Sequence, residues 1–249
     1  MIIPKNLFAV NFVFKKMLGG LVYYHFRRVV LTRIKMRYSF YDHGSKDLIV
    51  FFAGWGCDDH QFTNLHDVKD VLILYDYQDL SLDFDFSPYA HIDIIAYSAG
   101  VFIASVMADE LPHVRQKVAV CGNPYLFDET LGISQATVQV FREITLDNYL
   151  EFRRKYMVFT DEEYEKYNRL QSLRTIESCA SELEALQQMY VTKKFKINPV
   201  FTKALVAEND LIFKLSAQQK FYQNKLRIIK NAKHHIFFRF DSFEDMLNL

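Results

Sequence analysis

The chain has 249 residues, 50% of them hydrophobic, 24% charged and 16% aromatic, which is enough apolar material for one buried core and excludes disordered, collagen-like and low-complexity classes. Its 30 basic and 30 acidic side chains cancel, but unevenly. Lys5, Lys15, Lys16, Arg27, Arg28, Arg33 and Lys35 stand in residues 1–35 without one acid, so the other 214 residues carry a net charge of −7, the wrong sign for a nucleic-acid binder.

Residues 1–35 admit three readings. Lys and Arg interleaved with Leu, Val, Phe and Tyr resemble a cationic amphipathic segment for an anionic membrane surface. The acid-free composition also resembles a targeting segment, although serine is missing. The preferred reading is that a translation start at Met36 gives a complete domain, dividing the chain into a basic extension, 1–35, and a catalytic-sized body, 36–249. The longest uncharged run there, Met17 to Phe26, is ten residues against the roughly 20 that span a bilayer, so no membrane span is expected.

From Arg37 onward short apolar runs alternate with helical patterns, as in a mainly parallel sheet covered by helices. The runs predict strands at Arg37–Tyr41, Asp47–Phe52, Val71–Tyr75, Ile92–Ala96, Lys117–Cys121, Lys203–Ala207 and Arg227–Ile229. Several are continuous rather than alternating, the pattern of strands buried on both faces. Helices are expected at Ala99–Leu111 and Ser216–Asn224. Residues 124–196 lack a strand and carry helical periodicity at Leu146–Arg154 and Ile176–Tyr190, which predicts a helical insertion lying over one edge of the sheet as a lid, or as plain helical bulk if no site lies beneath it. Three scattered cysteines, Cys57, Cys121 and Cys179, form neither a disulfide framework nor a zinc motif and fit a reducing cytoplasm.

The stretch Ile92 to Ala104 carries the chemistry. An apolar strand runs into Ala96-Tyr97-Ser98-Ala99-Gly100 and then into an apolar helix, the setting of a nucleophile elbow, in which a sharp turn projects a serine hydroxyl away from the sheet. Small residues at 96 and 100 allow strand and helix to approach. A helix cap is the plainer reading of Ser98. Upstream, Phe51-Phe52-Ala53-Gly54-Trp55-Gly56 ends a buried strand in a glycine-flanked loop, so the backbone amides of Trp55 and Ala99 are the candidate oxyanion donors; alternatively the glycines only form a turn and Trp55 packs in the core. A serine hydroxyl needs a base, and the base an acid to hold its tautomer. In this chain order the histidine comes last: His234 is favoured over His235, which opens the packing run Ile236-Phe237-Phe238. Asp210, at the end of the run Ala204–Ala207, is the candidate acid, with Asp128 and Glu177 as fallbacks. No Walker-type, dinucleotide, zincin or EF-hand motif is present, and neither a cofactor nor a metal is expected.

These residues resemble the BioG family of α/β-hydrolases: Phe51-Phe52-Ala53-Gly54-Trp55-Gly56, then Tyr75-Asp76-Tyr77-Gln78-Asp79-Leu80 with Asp83-Phe84-Asp85, then Ala96-Tyr97-Ser98-Ala99-Gly100-Val101, and later Asn209-Asp210 and His234. The resemblance runs from Met36 almost to the C-terminus and leaves residues 1–35 without a counterpart. It implies an α/β-hydrolase fold with a helical lid and a cytoplasmic serine esterase that hydrolyses the methyl ester of pimeloyl-[acyl-carrier protein] in biotin biosynthesis. Ser98 would be the nucleophile, His234 the base, Asp210 the orienting acid, and Trp55 and Ala99 the oxyanion donors. The implied partner is an acidic acyl-carrier protein, for which Arg153, Arg154 and Lys155 are the candidate docking patch, joined by Arg142, Arg169 and Arg174, unless they form a solvated face. The alternatives are a general carboxylesterase or thioesterase of the same fold, and a catalytically silent binding module.

Overall fold

The structure, a computed structural model, describes residues 7–18, 21–32, 36–192 and 201–249, the first two segments by their backbone alone. The chain forms two units, Met1–Lys35 and Met36–Leu249. In the first, β1 (Leu7–Leu18) and β2 (Leu21–Thr32) pair antiparallel, with Leu7 opposite Thr32 and Leu18 opposite Leu21. The sequence reading placed no strand there, although Val, Phe and Tyr favour one. The side chains on which the membrane and targeting readings rest lie outside the described residues.

The second unit is built on seven strands: β3 (Arg37–Tyr41), β4 (Asp47–Phe52), β5 (Asp70–Tyr75), β6 (His91–Tyr97), β7 (Val114–Val120), β8 (Lys203–Ala207) and β9 (Leu226–Ile229). They lie in the order β3-β5-β4-β6-β7-β8-β9, parallel except for β3, which pairs antiparallel with β5 at the edge. The interior strands are buried on both faces, which is why they read as unbroken apolar runs. In β4, Leu48, Val50 and Phe52 enter one core while Ile49, Phe51 and the following Ala53 enter the other, all fully buried. Each of these Leu, Ile, Val and Phe side chains contributes about 1.5–3 kcal/mol of burial free energy.

Helices cover both faces. α1 (Ala99–Met107) and α6 (Leu215–Tyr222) pack on the first core, and α7 (Phe243–Asn248) closes the second through Phe243, Met246 and Leu247. Between β7 and β8 the chain makes the insertion: α2 (Gln135–Arg142), α3 (Tyr149–Phe152) running into a π-helical turn at Arg153–Met157, α4 (Asp161–Arg169) and α5 (Ile176–Thr192). Its last residues, from 193 onward, lie outside the described ones. Val138, Phe141, Met157, Leu183 and Leu186 join the first core, so the insertion is packed onto the body over the carboxyl ends of the strands, where open α/β sheets place their ligands.

Candidate active site

The turn from β6 into α1 is sharp because Ser98 adopts φ 53° and ψ −121°, a backbone conformation that non-glycine residues take at a cost. Its N–H donates to the Val120 carbonyl at 2.9 Å, which fixes the turn to the next strand. Gly100 has no alternative: a Cβ there would collide with the backbone carbonyls of Phe52 and Ala53. Ser98 does not cap α1 with its side chain. Its Oγ lies 2.9 Å from His234 Nε2 instead.

His234 arrives on the loop after β9 and is buried. Its Nδ1 lies 2.8 Å from Asp210 Oδ2. Asp210 stands in the turn after β8, where its other oxygen accepts from the amides of Ile212 at 2.8 Å and Phe213 at 3.0 Å. A carboxylate locked in this way accepts a hydrogen bond from Nδ1–H, the tautomer that leaves Nε2 to accept from Ser98. Phe213 stacks over the imidazole, with ring centroids 6.2 Å apart and planes 8° from parallel. The insertion also holds this loop, through the Tyr156 carbonyl on the His234 amide (3.3 Å) and the Met157 carbonyl on the His235 amide (2.8 Å).

The structure thus brings Ser98, His234 and Asp210 into one hydrogen-bonded chain and leaves the other candidates outside it. Asp128 turns its Oδ1 to the amides of Thr130 and Leu131, and Glu177 is exposed at the start of α5. Cys121 brings its sulfur within 4.8 Å of ligand atoms of Asp210 and His234, but those groups are already committed to each other. Burial pushes the Cys121 and Cys57 thiols well up and that of Cys179 to about 11, so none offers a thiolate for metal binding or attack at neutral pH.

Trp55 and Ala99 line the same cleft as Ser98. The Ala99 amide belongs to the first turn of α1, where N–H groups have no partner within the helix. The Trp55 indole donates to the Cys179 carbonyl at 2.6 Å and stacks on Phe141 at 4.8 Å, so Trp55 is half-buried against the first core and also ties the loop after β4 to the insertion. The walls of the cleft are mostly apolar, with Ile133, Phe152, Leu183, Leu186 and Ile212 among them. Such a space takes an aliphatic chain with a reactive group at the serine.

The basic triplet needs correction. Arg153 is only 2% exposed; its guanidinium lies 3.9 Å from the Tyr149 ring centroid and donates to Asn168 at 3.1 Å and Gln171 at 2.5 Å. The π-helical turn swings it inward, so it is a strut of the insertion and not a docking residue. The Arg174 side chain is likewise covered, paired with Asp76 and Glu182. Arg142, Arg154, Lys155 and Arg169 remain exposed. Sequence reasoning missed Glu182, a buried carboxylate whose place among Leu183 and Leu186 on α5 was the only available signal.

A serine-bearing elbow, a histidine after the last strand and a mostly parallel sheet define an α/β-hydrolase. More narrowly, the chain belongs to the BioG family: the family model described as "Pimeloyl-ACP methyl esterase BioG" matches residues 36–246. The crystal structure of BioG from Haemophilus influenzae superposes with a TM-score of 0.75 at 30% identity, covering 85% of this chain and 99% of that one. An uncharacterized protein of Haemophilus influenzae is 31% identical over 210 residues, 82% of this chain and 96% of its own length. A malonyl-[acyl-carrier protein] O-methyltransferase of Bacteroides fragilis is 34% identical over 190 residues, which is 72% of this chain but 37% of that protein. An esterase from Exiguobacterium antarcticum shares the fold, with a TM-score of 0.55 at 13% identity.

Proposed function

We propose that the chain is a serine esterase that hydrolyses the methyl ester of pimeloyl-[acyl-carrier protein], giving the free carboxylate and methanol in biotin biosynthesis. The hydrogen-bonded chain from Ser98 through His234 to Asp210 carries this reading, and membership of the BioG family supports the choice of substrate. The Bacteroides relative is named for methylating an acyl group on a carrier protein, which is the kind of ester such an enzyme would remove.

In the first half-reaction Ser98 Oγ attacks the ester carbonyl while its proton passes to His234 Nε2. The carbonyl oxygen becomes an oxyanion held by the Trp55 and Ala99 amides. His234 then returns the proton to the departing methoxide, releasing methanol and leaving an acyl-serine. A water attacks that ester, gives its proton to His234, and the serine leaves with it. Asp210 holds the ring in one tautomer throughout and steadies the imidazolium. The apolar cleft takes the methylene chain, and the thioester to the carrier stays at the mouth, away from Ser98. The proposed location is a reducing cytoplasm, which the three free cysteines favour; among the described residues no helix is long and apolar enough to cross a membrane.

Ser98→Ala is expected to lower turnover of methyl pimeloyl-carrier protein by several orders of magnitude, as loss of a triad nucleophile does. Residual hydrolysis near the wild-type rate would end the assignment of Ser98. In parallel, wild-type kcat/KM for the carrier-bound ester should exceed that for simple nitrophenyl esters; the reverse ranking would point to a general esterase.

A further inference from the structure

Helix α5 sends one buried carboxylate to the loop that precedes the cleft. Glu182 is fully buried and accepts the Gly56 amide at Oε2 (2.9 Å) and the Tyr77 amide at Oε1 (3.0 Å). Arg174 pairs with it at 2.6 Å and reaches on to Asp76 at 2.7 Å. An unpaired carboxylate in this position would be prohibitively desolvated, whereas two amides and a guanidinium fill its lone pairs. The backbone at these amides is left-handed, at Gly56 (φ 72°), where glycine takes it freely, and at Asp76 (φ 58°), just before Tyr77, where a non-glycine residue takes it at a cost.

Trp55 lies next to the clasped amide, and its own indole is bonded to α5 through the Cys179 carbonyl at 2.6 Å. Further along, the Leu173 amide donates to Asp58 at 2.7 Å, and His60 Nδ1 meets the Gln171 carbonyl at 2.8 Å. The loop that offers the Trp55 amide is thereby held by the insertion at residues 55, 56, 58 and 60, and not by the sheet beneath it alone. We infer that Glu182, steadied by Arg174, is a positioning residue that aims the Trp55 N–H at the oxyanion, so that the insertion is a working part of the transition-state site and not only its cover. This inference rests on the esterase reading and deepens it.

A merely structural contact, once lost, lowers the amount of competent enzyme but not the rate of each competent serine. The test therefore counts serines. Full-length Glu182→Gln and Glu182→Ala are titrated to the end point with a fluorophosphonate, and kcat per titrated site is measured on a small soluble ester. The expected result for Glu182→Ala is a fall in kcat of about 10²-fold, the size of one lost oxyanion donor, with KM within about twofold and the pH midpoint of kcat unmoved, since His234 is untouched. Glu182→Gln, which keeps one acceptor oxygen, should recover part of the loss.

A kcat per titrated serine within about threefold of wild type in both variants would overturn the inference. If neither variant folds, amide hydrogen exchange on the wild-type protein decides: protection of the Gly56 and Tyr77 amides equal to that of the α5 amides supports it, and exchange orders of magnitude faster overturns it. Failure of the esterase reading shows separately, as retained activity in Ser98→Ala.

Discussion

His234 turns one ring nitrogen to Asp210 and the other to Ser98, whereas the ring of His235, one residue on, sits among Phe62, Tyr97, Tyr167, Phe237 and Phe238 with neither nitrogen hydrogen-bonded among the described residues. Burial, followed by the neighbouring His234, pushes its pKa from 6.5 down to about 3. The unfolded chain takes up this proton near pH 6.5 and the folded one only near pH 3, so between the two the unfolded state binds more protons. Stability is therefore full above pH 6.5 and falls as the pH drops toward 3. Urea melts at pH 7 and pH 5 are expected to show wild type losing ~2 kcal/mol more than His235→Phe over that interval. Equal losses would mean that His235 takes up its proton in the fold at the same pH as in the unfolded chain. At this scale the sequence was legible where strand ends and chain order constrain a residue's place, as for Ser98, Asp210 and His234. It was misleading at Arg153, because three consecutive cations look alike until a π-helical turn sends one of them inward.

Strands and helices were legible to different degrees for a physical reason. A strand covered on both faces, such as Leu48–Phe52, must be apolar at every position, and that run stands out from any background. Short amphipathic helices of the insertion, α2 and α4 among them, bury only two residues each and leave a mixed pattern from which no boundary can be read. The turn after α3 has a testable surface: Arg154 and Lys155 remain exposed on it, Arg154 within 2.5 Å of Asp161 and with its carbonyl accepting from Lys233. If this turn meets an acidic carrier protein, Arg154→Glu combined with Lys155→Glu raises KM for the carrier-bound ester and leaves KM for a small ester unchanged. Equal changes for both substrates would remove the turn from the docking surface.

The charge of the whole molecule is the sum of two unlike parts, a +7 stretch before Met36 and a −7 body after it. The family model begins where the second part begins, and Met36 is itself buried there with its amide on Asp79 at 3.3 Å. A chain starting at Met36 is expected to melt within a few degrees of the full-length protein and to keep its kcat. A large fall in either would make residues 1–35 part of the enzyme.

The bonds between the insertion and the loop after β4 also bear on when the site comes into being. Trp55 waits for a partner 124 residues downstream and Gly56 for one 126 downstream, while Ser98 waits 136 residues for His234. Such long separations delay closure during folding. As the chain leaves the ribosome, the elbow can form from local contacts while its base is unmade and its anion-binding loop is unanchored. On the proposed esterase reading the serine is then an ordinary alcohol, inert toward the esters of the cell, and would acquire its reactivity only when the last forty residues bring the histidine home.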